Sequence, residues 1–308
     1  MSTQETLTMI AFLLAPAFFS LLGMGAIGSP AIAVLGEMSA KTKKRVFFDK
    51  YGQQIGAMGL ILLILLLVVD GAAYAVALTK FPQYIHALFT MESPLLNTFA
   101  AFGIFAFFSL IYFTMWKKMR NAKGLHMSLG MIASLAALTC VALAIPAKIA
   151  WTLSHGTPTN ETILAATAMI LPMSVMYALL TMSAAAALSA SYLVLRRNKD
   201  DFGRDYYNFS LKLATRWATL PMLGFLGCQG WLFANLPASY KTLVMGTPLA
   251  FVWGGSIALG AICAFVWILI GRSESPLRLK GLTFLAVFLF WLMHTLNVTV
   301  AINLLTML

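Results

Sequence analysis

Apolar residues in this 308-residue chain do not alternate with polar ones at the spacing of a soluble helix or strand. They gather into long runs separated by short connections in which most of the charge sits. Eight such runs stand out, at 8–35, 52–79, 94–116, 125–150, 163–195, 210–236, 247–270 and 281–306. About 20 residues suffice to cross a hydrocarbon layer roughly 30 Å thick, so each run predicts a membrane-crossing helix. The expected fold class is an all-α polytopic membrane protein of eight transmembrane helices. Pro16, Pro30, Pro146, Pro172 and Pro221 fall within or near the ends of these runs, where a kink is tolerated if neighbouring groups satisfy the freed carbonyls. Ala184–Ser191 and Gly254–Gly260 are dense in small residues, which suits close helix contact in a medium that gives no hydrophobic drive between helices.

The pattern is written twice. Ser93-Pro94-Leu95 opens one run and Thr247-Pro248-Leu249 opens another, while Ala122-Lys123-Gly124-Leu125 recurs as Leu279-Lys280-Gly281-Leu282. The offsets are 154 and 157 residues, half the chain. This predicts two four-helix repeats, 1–158 and 159–308, packed as two bundles. An even number of helices per repeat makes both copies point the same way across the membrane, a parallel duplication rather than the inverted repeat of many transporters.

Composition narrows the class further. With 60% hydrophobic and 10% charged residues, there is too little polar surface to clothe a water-soluble core of this size. Of 21 Lys and Arg, only Lys80, Lys148 and Lys241 belong to the even-numbered connections. The others surround the first, third, fifth and seventh, which the positive-inside rule makes cytoplasmic. Both termini are then expected outside, in a multi-pass protein of the cytoplasmic (inner) membrane. The formal charge of +11 fits a collar on the anionic inner leaflet and calls for no nucleic-acid partner. The first run is too long for a signal-peptide core and follows no Lys or Arg, so it is read as a retained helix. Cys140, Cys228 and Cys263 lie inside apolar runs; their odd number suggests neither a disulfide framework nor a metal site.

Several of these segments resemble subunit I of the cytochrome bd quinol oxidases. Tyr51-Gly52 with Gly56, leading to Asp70, is similar to that family's second helix, and Ser93-Pro94-Leu95 with the Phe-rich run to Trp116 and His126-Met127 to its third and fourth. Ser189-Ala190-Ser191-Tyr192-Leu193 resembles the end of its fifth helix, and Trp253 with Gly260 its seventh. The resemblance implies a membrane subunit of an electron-transfer complex, with other redox subunits and a quinone as partners. Its haem ligands, however, are not matched. The first-helix His falls at Leu14 or Ala15, the fifth-helix His at Pro172-Met173, and the Arg and ligating Met of the seventh near Ser256 and Ala258. The third helix, where the family carries glutamates, reads Asn97, Thr98 and Gly103, and the outward loop associated with quinol is reduced to about 237–246. Haem iron needs an axial donor such as His, Met or Cys, so oxygen reduction by the family mechanism is not expected.

The residues left to carry chemistry are few. Asp70 is the one acid deep inside an apolar run, and an ionised carboxylate in lipid costs roughly 2.5–3.5 kcal/mol on insertion scales. It is expected to face the bundle with a hydrogen-bonding partner, Gly71 letting a neighbouring helix close in, as a proton relay, a polar binding site or a structural acid. Gln229 is, with Asp70, a candidate proton relay or polar site, lining a path between the two bundles or hydrogen-bonded to a neighbouring helix, while Arg216 is read as snorkelling to the inner surface. His294 lies about 13 residues, or roughly 20 Å, into the eighth run, at a depth Met173 can share. The pair are candidate axial ligands of a haem b, set against the plainer reading of two core residues. His126, His86 and His155 read as solvated or interfacial imidazoles. No phosphate-cradling glycine loop, nucleophile elbow or thiol-imidazole metal spacing is present. Three readings stay open: a haem-poor membrane subunit or scaffold of an electron-transfer complex, a transporter of a small solute or protons, and an oxidoreductase with an unrecognised haem or quinone site.

Overall fold

The computed structural model describes residues 2–200 and 202–308, and among them there is no strand. Ten α-helices follow one another: α1 (Thr3–Lys43), α2 (Val46–Lys80), α3 (Pro82–Leu88), α4 (Leu96–Thr114), α5 (Lys123–Ser154), α6 (Asn160–Asp200), α7 (Arg204–Asn235), α8 (Ala238–Met245), α9 (Leu249–Arg272) and α10 (Lys280–Thr306), with a 3₁₀ turn at Pro276–Leu279 before the last. The chain is a multi-pass α-helical membrane protein. Seven of the described helices are long and apolar enough to cross a bilayer: α1, α2, α4, α5, α6, α9 and α10, the last counted with its 3₁₀ turn. The sixth predicted crossing, α7, is 32 residues long but falls short in apolarity. Its C-terminal half carries Gln229, three glycines and Asn235.

The helices run further than the apolar runs. The basic segment 36–51, expected as a cytoplasmic loop, is helix on both sides of a tight turn: α1 continues to Lys43, Lys44 takes the left-handed conformation (φ 50°), and α2 begins at Val46. Charged residues at a helix end are no obstacle to the helix itself. Lys41 and Lys43 lie in the last turn, where the helix dipole favours cations. Likewise α6 runs to Asp200, and Gly203 (φ 82°) supplies the reversal into α7. The expected outward loops 80–93 and 237–246 each contain a short helix, α3 and α8.

Consecutive long helices pair as antiparallel neighbours, α1 with α2, α4 with α5, α6 with α7 and α9 with α10. α1 and α6 cross at the centre; α1 also packs on α5 and α10, and α6 also packs on α5 and α10. Small residues make the crossing possible. A Cβ added to Gly28 would lie 2.2 Å from the Thr181 carbonyl oxygen and 3.0 Å from Ala185 Cβ, and one on Gly130 of α5 would lie 2.3 Å from Val34 of α1. Side-chain donors then bridge helices to carbonyls across these contacts: Ser183 to Ala218 (2.8 Å), Ser191 to Thr283 (3.3 Å) and Trp291 to Leu14 (2.8 Å). Pro146 in α5 leaves the Ala142 carbonyl without its helical N–H, and Ser174 of α6 donates to that oxygen at 3.3 Å. All three cysteines are buried and free.

The backbone contact at Gly28 predicts a specific sensitivity. Although alanine is the better helix former by about 1 kcal/mol, Gly28→Ala should destabilise the protein by about 1–3 kcal/mol through overpacking against a main-chain oxygen that has nowhere to move. Gly71→Ala, where nothing lies within 4 Å of the new methyl, should not. Thermal unfolding of both variants in detergent checks this.

Candidate functional site

The candidate polar residues and those packed with them fall into three groups. The first lies at the basic end, where α1, α4 and α5 meet. Glu37 is 4% exposed and His126 1% exposed. Nδ1 of His126 is 3.0 Å from both carboxylate oxygens of Glu37, and its Nε2 is 3.0 Å from the Tyr112 carbonyl oxygen. The Tyr112 hydroxyl donates to the same carboxylate at 2.9 Å. A carbonyl only accepts, so Nε2 carries a proton. The remaining proton lies between Nδ1 and Glu37, as an imidazolium–carboxylate pair or as neutral imidazole and acid. The rings of Tyr112 and Trp116, 4.5 and 4.7 Å from the imidazole, close the site over. Glu37 also lines a cavity of about 350 Å³ whose wall includes Lys41, Lys44, Arg45, Asp49 and Lys123. The group is therefore a buried hydrogen-bonded cluster beside a polar cavity at the basic end.

Sequence reasoning missed this group. Ending the first run at 35 made Glu37 a loop residue, and His126, at the edge of the fourth run, read as a solvated imidazole. The structure corrects both, because α1 continues two turns past the apolar run and carries Glu37 inward. The usable signal was the lack of any Gly or Pro between Glu37 and Lys44, which leaves the helix no reason to stop.

The second group involves Asp70 and His294. Asp70 does not face the bundle interior. It is exposed on the C-terminal half of α2, where residues 67, 68 and 70–76 are all exposed, and it has no hydrogen bond or ion pair among the described residues. The close approach expected at Gly71 is absent, since α2 splays away there and a Cβ on Gly71 would meet nothing within 4 Å. Asp70 does line a groove of about 350 Å³ between α1 and α2, and Ser20 of α1 lines the same groove. The Ser20 hydroxyl is 3.1 Å from Nε2 of His294, which is fully buried. Nδ1 of His294 has no hydrogen-bond partner. His294 itself does not line the groove; Ser20, which does, is its hydrogen-bond partner.

Gln229 anchors the third group. Its side chain is buried, accepts from Trp253 Nε1 of α9 at 2.6 Å and donates to Asn297 Oδ1 of α10 at 2.9 Å; Asn297 in turn donates to the Tyr177 hydroxyl of α6 at 3.4 Å. Each amide is satisfied within the chain, so the network ties four helices together. Met173 is fully buried in the core shared by α6, α7, α9 and α10, with Met169, Met176, Met222 and Phe225. Arg216 is exposed, as a snorkelling side chain is.

The positions that the family resemblance assigns to haem ligands differ in their surroundings, Met173 being the one with a side chain of an axial-donor type. Ala15 and Ala258 are exposed on the outside of their helices, and Ser256 is buried with its hydroxyl directed at the Met293 carbonyl at 3.5 Å. None of the three offers an axial donor. Nε2 of His294, the nitrogen farther from the main chain, is engaged by Ser20. No group of three or more His, Cys, Asp or Glu able to hold a metal ion occurs among the described residues.

Comparison with known proteins places the architecture. No family model matches the chain, and no curated protein matches it. Among solved structures, a chain of the bd oxidase from Geobacillus thermodenitrificans superposes with a TM-score of 0.69 over 99% of this chain and 88% of that one, at 12% sequence identity. The fold is thus that of a bd oxidase chain from end to end, at an identity where the fold is all that is shared visibly.

Breaking the buried pair at the basic end should be expensive. Glu37→Ala leaves the imidazole and the phenol without their acceptor and should cost about 3–5 kcal/mol. Tyr112→Phe removes one hydrogen bond to the carboxylate and should cost about 1.5–3 kcal/mol. Unfolding in detergent ranks the two; equal, near-zero losses would mean that the carboxylate is solvated.

Proposed function

We propose that the chain is a membrane subunit built on the bd-oxidase fold, serving in or scaffolding a membrane electron-transfer complex without the family's oxygen-reducing haem site. The observation that carries this reading is Asp70. A carboxylate exposed among Ile64, Leu67, Val68, Tyr74 and Val76, each at least 36% exposed, has no partner in its own chain. Facing lipid, it would cost roughly 2.5–3.5 kcal/mol. A second membrane protein seated on the outward half of α2, offering a hydrogen-bond donor or a cation, removes that cost. The match to a bd oxidase chain over nearly the whole length supports the same role, and a quinone is the expected redox partner of such a complex.

In this reading the chain crosses the inner membrane eight times, α7 included, with both termini outside. α7 pairs with α6 and packs on α9, so its polar residues meet protein rather than lipid, which supports a crossing of lower apolarity. The halves 1–158 and 159–308 are two copies of one four-helix unit. Helix order supports this, with α3 and α8 at corresponding places, as does the packing of α5 on α6, which mirrors that of α10 on α1. These correspondences are those of a pseudo-two-fold axis along the membrane normal between α1 and α6.

A second reading, proton movement through the chain, is favoured by the groove that Asp70 and Ser20 both line, Ser20 being the hydrogen-bond partner of the buried His294. The two readings separate at one residue. Tagged chain purified from native membranes in mild detergent should carry at least one other multi-pass protein, and Asp70→Leu should reduce its recovery by roughly tenfold, the loss of one charged hydrogen bond. Asp70→Asn keeps a hydrogen-bonding group. Under the scaffold reading it retains both partner and activity of the complex, whereas under the relay reading it retains the partner and loses proton-coupled activity. Recovery of the chain alone, with Asp70→Leu indistinguishable from wild type, would remove the basis for a subunit role.

A further inference from the structure

At the basic end, the α1–α2 turn, α7 and α9 line an open cavity of about 830 Å³. Five cations line it, Lys43, Arg45, Lys212, Arg216 and Arg272, and no carboxylate does. None of the five is paired elsewhere: the ion pairs among the described residues are Lys123–Asp49, His126–Glu37 and Arg196–Asp200. Lys43 lies over the Phe48 ring at 4.9 Å, leaving its other side open. Five uncompensated positive charges around one concavity repel one another, and an anion there relieves that repulsion.

Below the rim the wall changes character. Leu220, Trp267 and Ile268 are apolar, and the hydroxyls of Thr215 and Thr219 are spent on carbonyls of their own helix. Along α7 the distance from Lys212 to Leu220 is about 12 Å, at 1.5 Å per residue. The cavity therefore presents a cationic mouth at the helix ends and an apolar wall descending into the membrane. A free nucleotide or sugar phosphate finds no polar partner on that wall, and a neutral quinone head leaves the five charges unmet. A phosphodiester with attached acyl chains meets both parts.

We propose that this cavity binds one anionic phospholipid, its phosphate held among Lys43, Arg45, Lys212, Arg216 and Arg272 and an acyl chain laid along Leu220 and Ile268. The bound lipid then bridges the α1–α2 turn of the first half to α7 and α9 of the second. This goes beyond a general affinity of basic loops for the inner leaflet, because it assigns one lipid to one defined position.

Native mass spectrometry of the purified full-length chain, with any partner that travels with it, tests the site. Phosphatidylglycerol should persist as a one-to-one adduct at least tenfold better than phosphatidylcholine. Lys212→Gln with Arg216→Gln should weaken that adduct by about thirtyfold, on a scale of roughly fivefold per cation near a membrane surface. Both side chains are exposed, so the fold is not at stake, and unchanged thermal unfolding confirms that. Lys117→Gln with Lys118→Gln removes the same charge outside the cavity and should change retention less than twofold. Equal retention of the two lipids, equal loss in the control pair, or displacement of phosphatidylglycerol by millimolar inorganic phosphate would each overturn the proposal. An acidic peptide binding where the lipid does not would overturn it as well.

Discussion

The architecture depends on one contact, the crossing of α1 and α6 at Gly28. Lipid is as apolar as the side chains it touches, so helices in it are held by close packing and by polar bridges rather than by exclusion from water. At Gly28 the Thr181 carbonyl oxygen sits where a Cβ would be, and that proximity brings the two long central helices together. From it follow the buried serines that bridge helices to carbonyls, the collapse of the α5 and α10 flanks onto the same centre, and the position of Ser20 beside His294.

Polarity is distributed unevenly on this frame. The basic end holds the buried Glu37–His126–Tyr112 group and two cavities that share Arg45. The C-terminal half of α2, in contrast, is an exposed apolar face with a single carboxylate. The first region can satisfy its charges within the chain or from lipid headgroups. The second cannot, and its unmet acid is the strongest sign in the molecule that something else completes it.

Much of the fold was legible in the sequence because membrane crossing imposes a coarse, local rule. Seven of the eight apolar runs correspond to helices that meet it, and the resemblance to the bd oxidases, read from fragments such as Ser93-Pro94-Leu95 and Trp253, agrees with the superposed fold. Helix ends were misplaced where charge was taken for loop, as at Glu37–Lys43, since hydropathy reports the membrane and not the helix. The polar groups were harder. Gln229 was legible as a bridge because an amide in an apolar run has few alternatives. The orientation of Asp70 was not, because whether α2 hugs the bundle depends on tertiary packing that no local pattern encodes. The Glu37–His126 pair joins residues 89 positions apart, and nothing in either neighbourhood announces the other.

In the proposed reading, a bd-oxidase fold with Ala15, Met173 and Ala258 at the matching positions keeps the architecture without the oxygen-reducing chemistry. The most direct test is a reduced-minus-oxidised optical spectrum of the purified chain together with its haem content. The account predicts no stoichiometric haem and no quinol-dependent oxygen uptake. One haem retained per chain with such uptake would contradict it.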